Sequence, residues 1–117
     1  MTSYSCANPY PVLINCTIVN NFAGGGGGGF ALFHDCSPSF QNCIITANSA
    51  NLGGGVSCWS SSTDFRNCTI AGNSAEDGGG ISCWSDWMST PAEPVLTNGV
   101  LWGNTPGAVY YDPDDPG

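Results

Sequence analysis

The chain has 117 residues, a length typical of one domain. Its formal net charge is −8, because it holds 9 Asp or Glu side chains and only 1 Lys or Arg side chain. So little positive charge cannot neutralise phosphates, which excludes nucleic-acid binding and attraction to an anionic membrane surface. No apolar run approaches the roughly 20 residues of a spanning helix, so we expect no membrane insertion.

The sequence repeats one motif four times, and each copy predicts a short strand. In each copy an apolar residue is followed two positions later by asparagine, and three positions after the asparagine by an aliphatic residue. The copies span residues 13–18, 40–45, 65–70 and 96–101. Since a period of about 20 to 50 residues is the signature of stacked-coil architectures, the repeat decides the fold class.

Each copy continues alike along the chain. A second asparagine follows the first strand at one fixed offset, then a glycine-rich corner and a second short strand. The second strands include residues 30–32, 56–58 and 81–83, and residues 4–6 and 109–111 fit the same slot, so the sequence begins and ends mid-coil. We expect the second asparagines to form a hydrogen-bonded ladder between coils. They are Asn21, Asn48, Asn73 and Asn104.

Stacking the copies would bury two rows of side chains that no single coil can bury alone. One row is Leu13, Phe40, Phe65 and Leu96, and the other is Ile18, Ile45, Ile70 and Leu101. We therefore predict an all-β fold, a parallel β-helix of about four coils that forms one domain over residues 1–117. Coils start near residues 11, 38, 63 and 94, and residues 110–117 form an acidic tail.

The third coil also carries a family pattern. Phe65-Arg66-Asn67 is followed by residues 73–75 (Asn-Ser-Ala) and residues 78–81 (Gly-Gly-Gly-Ile), and the second coil repeats this order. The pattern resembles the repeats of the chlamydial polymorphic outer-membrane protein family, and the resemblance covers nearly the whole chain. It implies a right-handed parallel β-helix and an adhesive role, because passengers of that family are adhesins. It carries over no outer-membrane anchoring.

Seven cysteines in so small a chain favour an oxidising compartment, and two states are open for them. Strand alternation predicts two inward rows of free thiols that act as small hydrophobes, one of Cys16, Cys43 and Cys68 and one of Cys6, Cys58 and Cys83. Disulfides within coils are the alternative, and spacing does not choose between two schemes. The first pairs Cys6–Cys16, Cys36–Cys43 and Cys58–Cys68; the second pairs Cys43–Cys58 and Cys68–Cys83.

Aromatic residues predict a stacking surface for sugar rings along one edge of the column. Trp59 and Trp84 share a repeat slot, with Phe33 beside them in the first coil. Trp102 and Trp87 are candidates to extend this stack. The alternative is that the rings cover a corner or pack beneath the loop over residues 86–94.

The remaining polar candidates concern metal binding and catalysis. Asp112, Asp114 and Asp115 offer oxygen ligands for Ca²⁺, but they lack EF-hand spacing, so a solvated tail is the alternative. No other cofactor is expected, and no two cysteines have the spacing of a zinc site. His34 and Asp35 are neighbours without a nucleophile to complete a triad, so we assign no catalytic residue.

These observations predict a structural or adhesive module of a larger surface or secreted protein, which works outside the cell and stacks end to end with copies of itself. The first alternative is a module that binds polysaccharide through the aromatic stack. The second is a fragment of a polysaccharide-active enzyme. The enzyme is disfavoured because one arginine, no lysine and scattered carboxylates offer no base beside a Ca²⁺ site.

Overall fold

The computed structural model describes residues 2–3, 12–33, 38–60, 62–84 and 94–112. These ranges form thirteen short strands in three sheets. Sheet A contains β1 (Thr2–Ser3), β4 (Phe30–Phe33), β7 (Val56–Trp59), β10 (Ile81–Trp84) and β13 (Val109–Asp112). Sheet B contains β2 (Val12–Ile14), β5 (Ser39–Gln41), β8 (Asp64–Arg66) and β11 (Val95–Thr97). Sheet C contains β3 (Thr17–Val19), β6 (Ile44–Thr46), β9 (Thr69–Ala71) and β12 (Val100–Trp102).

Successive coils lie directly over one another. Every strand pairs in parallel with the equivalent strand of the next coil, so the chain passes from sheet B to sheet C to sheet A in each turn. The predicted parallel β-helix is therefore confirmed. None of the described residues belongs to a helix. This part of the chain therefore contains no helix that is long and apolar enough to cross a membrane.

The core is a cluster of buried hydrophobic side chains between the three sheets, and its rows follow the repeat. In sheet B, Leu13 pairs with Phe40, Phe40 with Phe65, and Phe65 with Leu96. The Phe40 and Phe65 side chains are fully buried, and their rings stack with centroids 5.1 Å apart and planes inclined by 16°. In sheet C the row is Ile18, Ile45, Ile70 and Leu101. Both rows are aligned as predicted, but Leu96, at the end of the first row, is 36% exposed rather than buried.

Sheets B and C meet at corners of only two residues, such as Asn42-Cys43. A turn this sharp needs a left-handed backbone, which asparagine tolerates better than most residues. The first asparagine of every repeat copy has φ between 51° and 57°; these residues are Asn15, Asn42, Asn67 and Asn98. The recurrent asparagine of the motif therefore has a backbone role, and the second asparagine has a side-chain role described below.

The glycine-rich corners between sheets C and A bring the backbones of adjacent coils close together. A Cβ atom on Gly54 would overlap the carbonyl oxygen of Ser74 and lie 2.6 Å from that of Gly79. Gly53 has φ +63°, a conformation that costs glycine little. A glycine run at this corner therefore permits tight stacking of the coils.

The corners between sheets A and B differ in length, from four residues (60–63) to ten residues (85–94). This variation corrects one register prediction. The structure pairs Ser3 with Leu32, the slot that the sequence analysis gave to Cys6. That assignment assumed a constant corner between the second strand of one coil and the first strand of the next. Cys6 itself lies outside the described residues.

Candidate functional site

The second asparagine of each coil forms a ladder along the column. The backbone N–H and the Nδ2 group of Asn48 both donate to Asn73 Oδ1, at 3.0 and 3.1 Å. Asn73 donates in the same way to Asn104 Oδ1, and Asn21 to Asn48 Oδ1, all at 3.0 Å. Every bond of the ladder runs in one direction, from each coil to the coil that follows it in sequence.

The ladder also satisfies backbone groups at the corner after sheet C. Asn48 Nδ2 donates to Ile18 O at 3.0 Å, and Asn73 Nδ2 donates to Ile45 O at 3.0 Å. Asn48 and Asn73 are each only 1% exposed. Because buried carbonyl and amide groups without partners are costly, the two inner asparagines are structural rather than ligand-binding residues.

Five of the predicted inward cysteines lie in the described residues, and all five are free thiols: Cys16, Cys43, Cys58, Cys68 and Cys83. Cys43 and Cys68 lie at the corners between sheets B and C, where each Sγ contacts a carbonyl of the preceding coil at 3.4 and 3.3 Å. Cys58 and Cys83 instead pair with each other in sheet A.

The proposed disulfides Cys43–Cys58, Cys58–Cys68 and Cys68–Cys83 are therefore not formed in the structure. Their members lie in two separate rows, and each row engages other partners. The pairings Cys6–Cys16 and Cys36–Cys43 each include a cysteine outside the described residues, although Cys16 and Cys43 are free thiols here. The row of Cys16, Cys43 and Cys68 and the pair in sheet A behave as packed core side chains.

The two thiols in sheet A share a hydrogen bond deep in the core. Cys58 also lies 3.5 Å from Thr63 Oγ1, across the corner between sheets A and B. The hydrogen bond with Cys58, together with burial, raises the pKa of the Cys83 thiol above its usual range. The same hydrogen bond lowers the pKa of the Cys58 thiol, whereas the Cys83 thiol stays protonated at neutral pH. Both side chains pack in the core.

Trp59 and Trp84 form an aromatic stack on the outer face of sheet A. They end strands β7 and β10, pair in register, and have ring centroids 6.0 Å apart with planes inclined by 22°. Both side chains are half-buried, and Trp84 Nε1 donates to Ser82 Oγ. Strand alternation explains the placement, because Val56 and Cys58 face the core and the alternate positions, Ser57 and Trp59, therefore face outward.

Two other aromatic candidates have different positions. Phe33 pairs through its backbone with Trp59, in the slot that the sequence predicted. Trp102 pairs with Ala71 in sheet C and is 76% exposed, so it does not extend the stack on sheet A, contrary to the prediction. The two residues hold different positions in the repeat, because Trp102 ends the sheet C strand of its coil and Trp84 ends the sheet A strand of its coil. Trp87 lies outside the described residues.

The outer face of sheet C is an uncharged array. One row is Thr17, Ile44, Thr69 and Val100, and the next is Val19, Thr46, Ala71 and Trp102. Several apolar members are exposed, among them Ile44 at 45% and Val100 at 52%. Phe22, just after β3, is 81% exposed beside this face. Contiguous exposed apolar side chains of this kind mark contact surfaces.

The outer face of sheet B carries a pair that the sequence analysis missed. Arg66 Nε donates to Asp64 Oδ2 at 2.9 Å, and Asp64 Oδ1 is shielded from water and has no hydrogen-bond partner in the part of the chain that the structure describes. A groove of about 270 Å³ beside them is lined by Ser62, Thr63, Asp64, Arg66, Val95 and Thr97. The available signal was the spacing of two, which places both charges on one face of a strand.

Other acidic and metal candidates are dispersed or lie beyond the described ranges. Glu76 and Asp77 lie at the corner before β10, on another side of the column from Asp64. Among the described residues, no three His, Cys, Asp or Glu side chains are grouped for metal binding. Asp112 ends β13 opposite Trp84. The candidates Asp114, Asp115, His34, Asp35 and Cys36 lie outside the described residues.

Comparison with known proteins agrees with this geometry. A family model described as the right-handed β-helix region matches residues 3–90. No curated protein and no solved structure matches the chain. The match supports the predicted handedness of the coils, whereas the finer resemblance to the chlamydial family stays a prediction. With three stacked parallel sheets and a family match over most of its length, the chain belongs to the right-handed β-helix family.

Proposed function

We propose that the chain is a structural and adhesive module of a larger surface or secreted protein, and that it works outside the cell. The observation that carries this proposal is the uncharged outer face of sheet C. On a chain with net charge −8, a face of threonine and exposed aliphatic side chains offers contact without electrostatic repulsion. The rigid column beneath it holds that face in a fixed array.

A non-catalytic role is supported by the placement of the charged side chains. Asp64 and Arg66 pair with each other, and Glu76 and Asp77 lie at a different corner. Glycoside hydrolysis needs two carboxylates on either side of the scissile bond, about 5 to 10 Å apart. Asp64 lines the groove on sheet B, and the other residues that line this groove include no second carboxylate.

Adhesion can be tested with beads that carry the chain. Retention under flow on cultured epithelial cells and on mucin-coated glass should exceed that of uncoated beads, and Ile44→Glu should lower it. Gln41→Glu adds the same charge on sheet B and should leave retention unchanged. Retention equal to that of uncoated beads would contradict the adhesive role. Antibody labelling only after permeabilisation of the source cells would contradict the extracellular location.

We also propose that copies of the module stack end to end. Within the described residues, Asn21 Oδ1 accepts no hydrogen bond and the Asn104 backbone N–H donates none, so the ladder ends in an acceptor and a donor. A groove of about 390 Å³ at the first coil is lined by core side chains that include Leu13, Ile18 and Phe30. In a longer protein, the same two surfaces would carry neighbouring coils.

Sedimentation velocity over a range of concentrations tests this stacking. We expect oligomers that grow with concentration, and Leu101→Glu should dissociate them because it charges the last core row. Val100→Glu places the same charge in the same coil on the outer face and should leave them intact. A chain that sediments as a monomer at every concentration would contradict the stacking proposal.

The Trp59–Trp84 stack favours a second candidate function, binding of carbohydrate. The two half-exposed indole rings stack on each other with nearly parallel planes, and the ring surface that stays exposed is apolar. Sugar rings bind exposed aromatic surfaces through their C–H faces. A glycan array should give hits that Trp59→Ala and Trp84→Ala both remove. An array without hits, or hits that both variants retain, would eliminate this function.

A further inference from the structure

We propose that the groove beside Asp64 and Arg66 binds the vicinal hydroxyl groups of a neutral sugar. This inference rests on the carbohydrate-binding function proposed above and adds a second site to it, on sheet B rather than sheet A. The groove, about 270 Å³, is slightly smaller than the roughly 300 to 1,000 Å³ of sites for drug-sized ligands. Such a size suits a single ring of a longer oligosaccharide.

The ion pair leaves several hydrogen-bonding positions unused. Arg66 has five N–H donors, and within the described residues Nε alone is used, in the bond to Asp64 Oδ2. Among the described residues Asp64 Oδ1 has no partner, which is unusual for an oxygen shielded from water. Since the last torsion of an aspartate side chain is soft, a small rotation would bring Oδ1 to a ligand hydroxyl. Acceptor and donor thus lie side by side on one strand.

This pattern matches a neutral diol better than an anion. Each sugar hydroxyl both donates and accepts, so one can donate to Asp64 while its neighbour accepts from Arg66. The Asp64–Arg66 pair is neutral in sum and the chain carries −8, so an anionic ligand would meet a repulsive field. Val95, 56% exposed, gives the groove an apolar wall, and the Thr97 hydroxyl adds a polar group.

The groove and the tryptophan stack flank the same corner of the column. Trp59 ends β7 and Asp64 begins β8, with four residues between them. Cys58 and Thr63 are in contact inside this corner, so the two strands are held firmly together there. An oligosaccharide that contacts the Trp59–Trp84 rings on sheet A would therefore lie next to the polar groove on sheet B.

Titration calorimetry of the whole chain tests the site. The probes are the neutral oligomers cellohexaose, xylohexaose, mannohexaose and maltohexaose, with oligogalacturonate as the acidic comparison. We expect at least one neutral oligomer to bind, and Asp64→Asn and Arg66→Gln each to weaken it about tenfold or more. Glu76→Gln makes the same charge change as Asp64→Asn on an exposed corner and should leave affinity within about twofold.

The outcomes separate this site from the function on which it rests. Loss of binding in Trp59→Ala, with full affinity in Asp64→Asn and Arg66→Gln, would overturn the groove and keep carbohydrate binding. No binding of any neutral oligomer would overturn both, and stronger binding of oligogalacturonate would overturn the neutral-ligand assignment. Both charged side chains are partly exposed, at 33% and 59%, so the variants should fold; Thr97→Val provides an uncharged third variant.

Discussion

Replacement of Asn73 by alanine should destabilise the column far more than the same replacement of Asn21, although both belong to one ladder. Asn73 is 1% exposed, and its side chain makes four hydrogen bonds. The Asn21 side chain is exposed and donates only to Asn48 Oδ1 and Val19 O. The contrast isolates the effect of a buried position from that of residue type.

The magnitude follows from the groups that Asn73→Ala leaves without a partner. The Asn48 backbone N–H loses its acceptor, and the Ile45 carbonyl loses its side-chain donor. Each buried unsatisfied group costs about 1 to 3 kcal/mol, so these two alone give about 2 to 6 kcal/mol. Asn21→Ala removes bonds that water can replace and should cost less than about 1 kcal/mol.

Urea denaturation monitored by tryptophan fluorescence and by circular dichroism measures both free energies of unfolding. Coincident curves from the two probes would justify a two-state treatment. We expect Asn73→Ala to lower the free energy of unfolding by at least about 2 kcal/mol more than Asn21→Ala does. Equal losses in the two variants would show that the ladder is not buried as described.

Three further predictions concern the core and the corners. Phe65→Ala should cost about 3 to 5 kcal/mol in the same assay, because the fully buried ring stacks on its neighbour; a loss below about 1 kcal/mol would contradict the shared core. Ala47 has φ 54°, whereas Gly72 occupies the equivalent corner at φ 63°, so Ala47→Gly should stabilise by about 1 kcal/mol and Gly72→Ala should destabilise; equal effects of one sign would refute this. The raised pKa keeps the Cys83 thiol protonated in the fold, whereas a thiol in the unfolded chain has an ordinary pKa near 9.0, so urea should unfold the chain more readily as pH rises above that value. Cys83→Val should reduce this loss of stability with rising pH. If the variant loses stability as steeply as the unchanged chain does, other groups cause the loss.

The parts of the fold that the sequence predicts are those that every coil repeats. Leu13, Phe40 and Phe65 hold one position of the motif, and stacking places equivalent positions in one row, so register follows from the spacing alone. The left-handed corner at Asn42 belongs to the same class, since few other residues adopt that backbone cheaply.

The parts that the sequence does not predict depend on corner length and on neighbours in adjacent coils. The corner before sheet B varies between coils, so counting residues back from Cys16 placed Cys6 where Ser3 lies. Trp102 is a tryptophan at the end of a strand, as Trp84 is, but its strand belongs to another sheet. The repeat places Val95 and Thr97 of the following coil beside Asp64 and Arg66, but it does not show that these side chains leave a groove between them.

The most direct test of the stacked coils is a methyl nuclear Overhauser experiment in solution. The account predicts an unbroken series of contacts from Ile18 to Ile45, from Ile45 to Ile70, and from Ile70 to Leu101, in the order of the parallel register. Contacts that instead pair opposite ends of the segment from Ile45 to Val56, as an antiparallel hairpin through the glycine corner would produce, would contradict it.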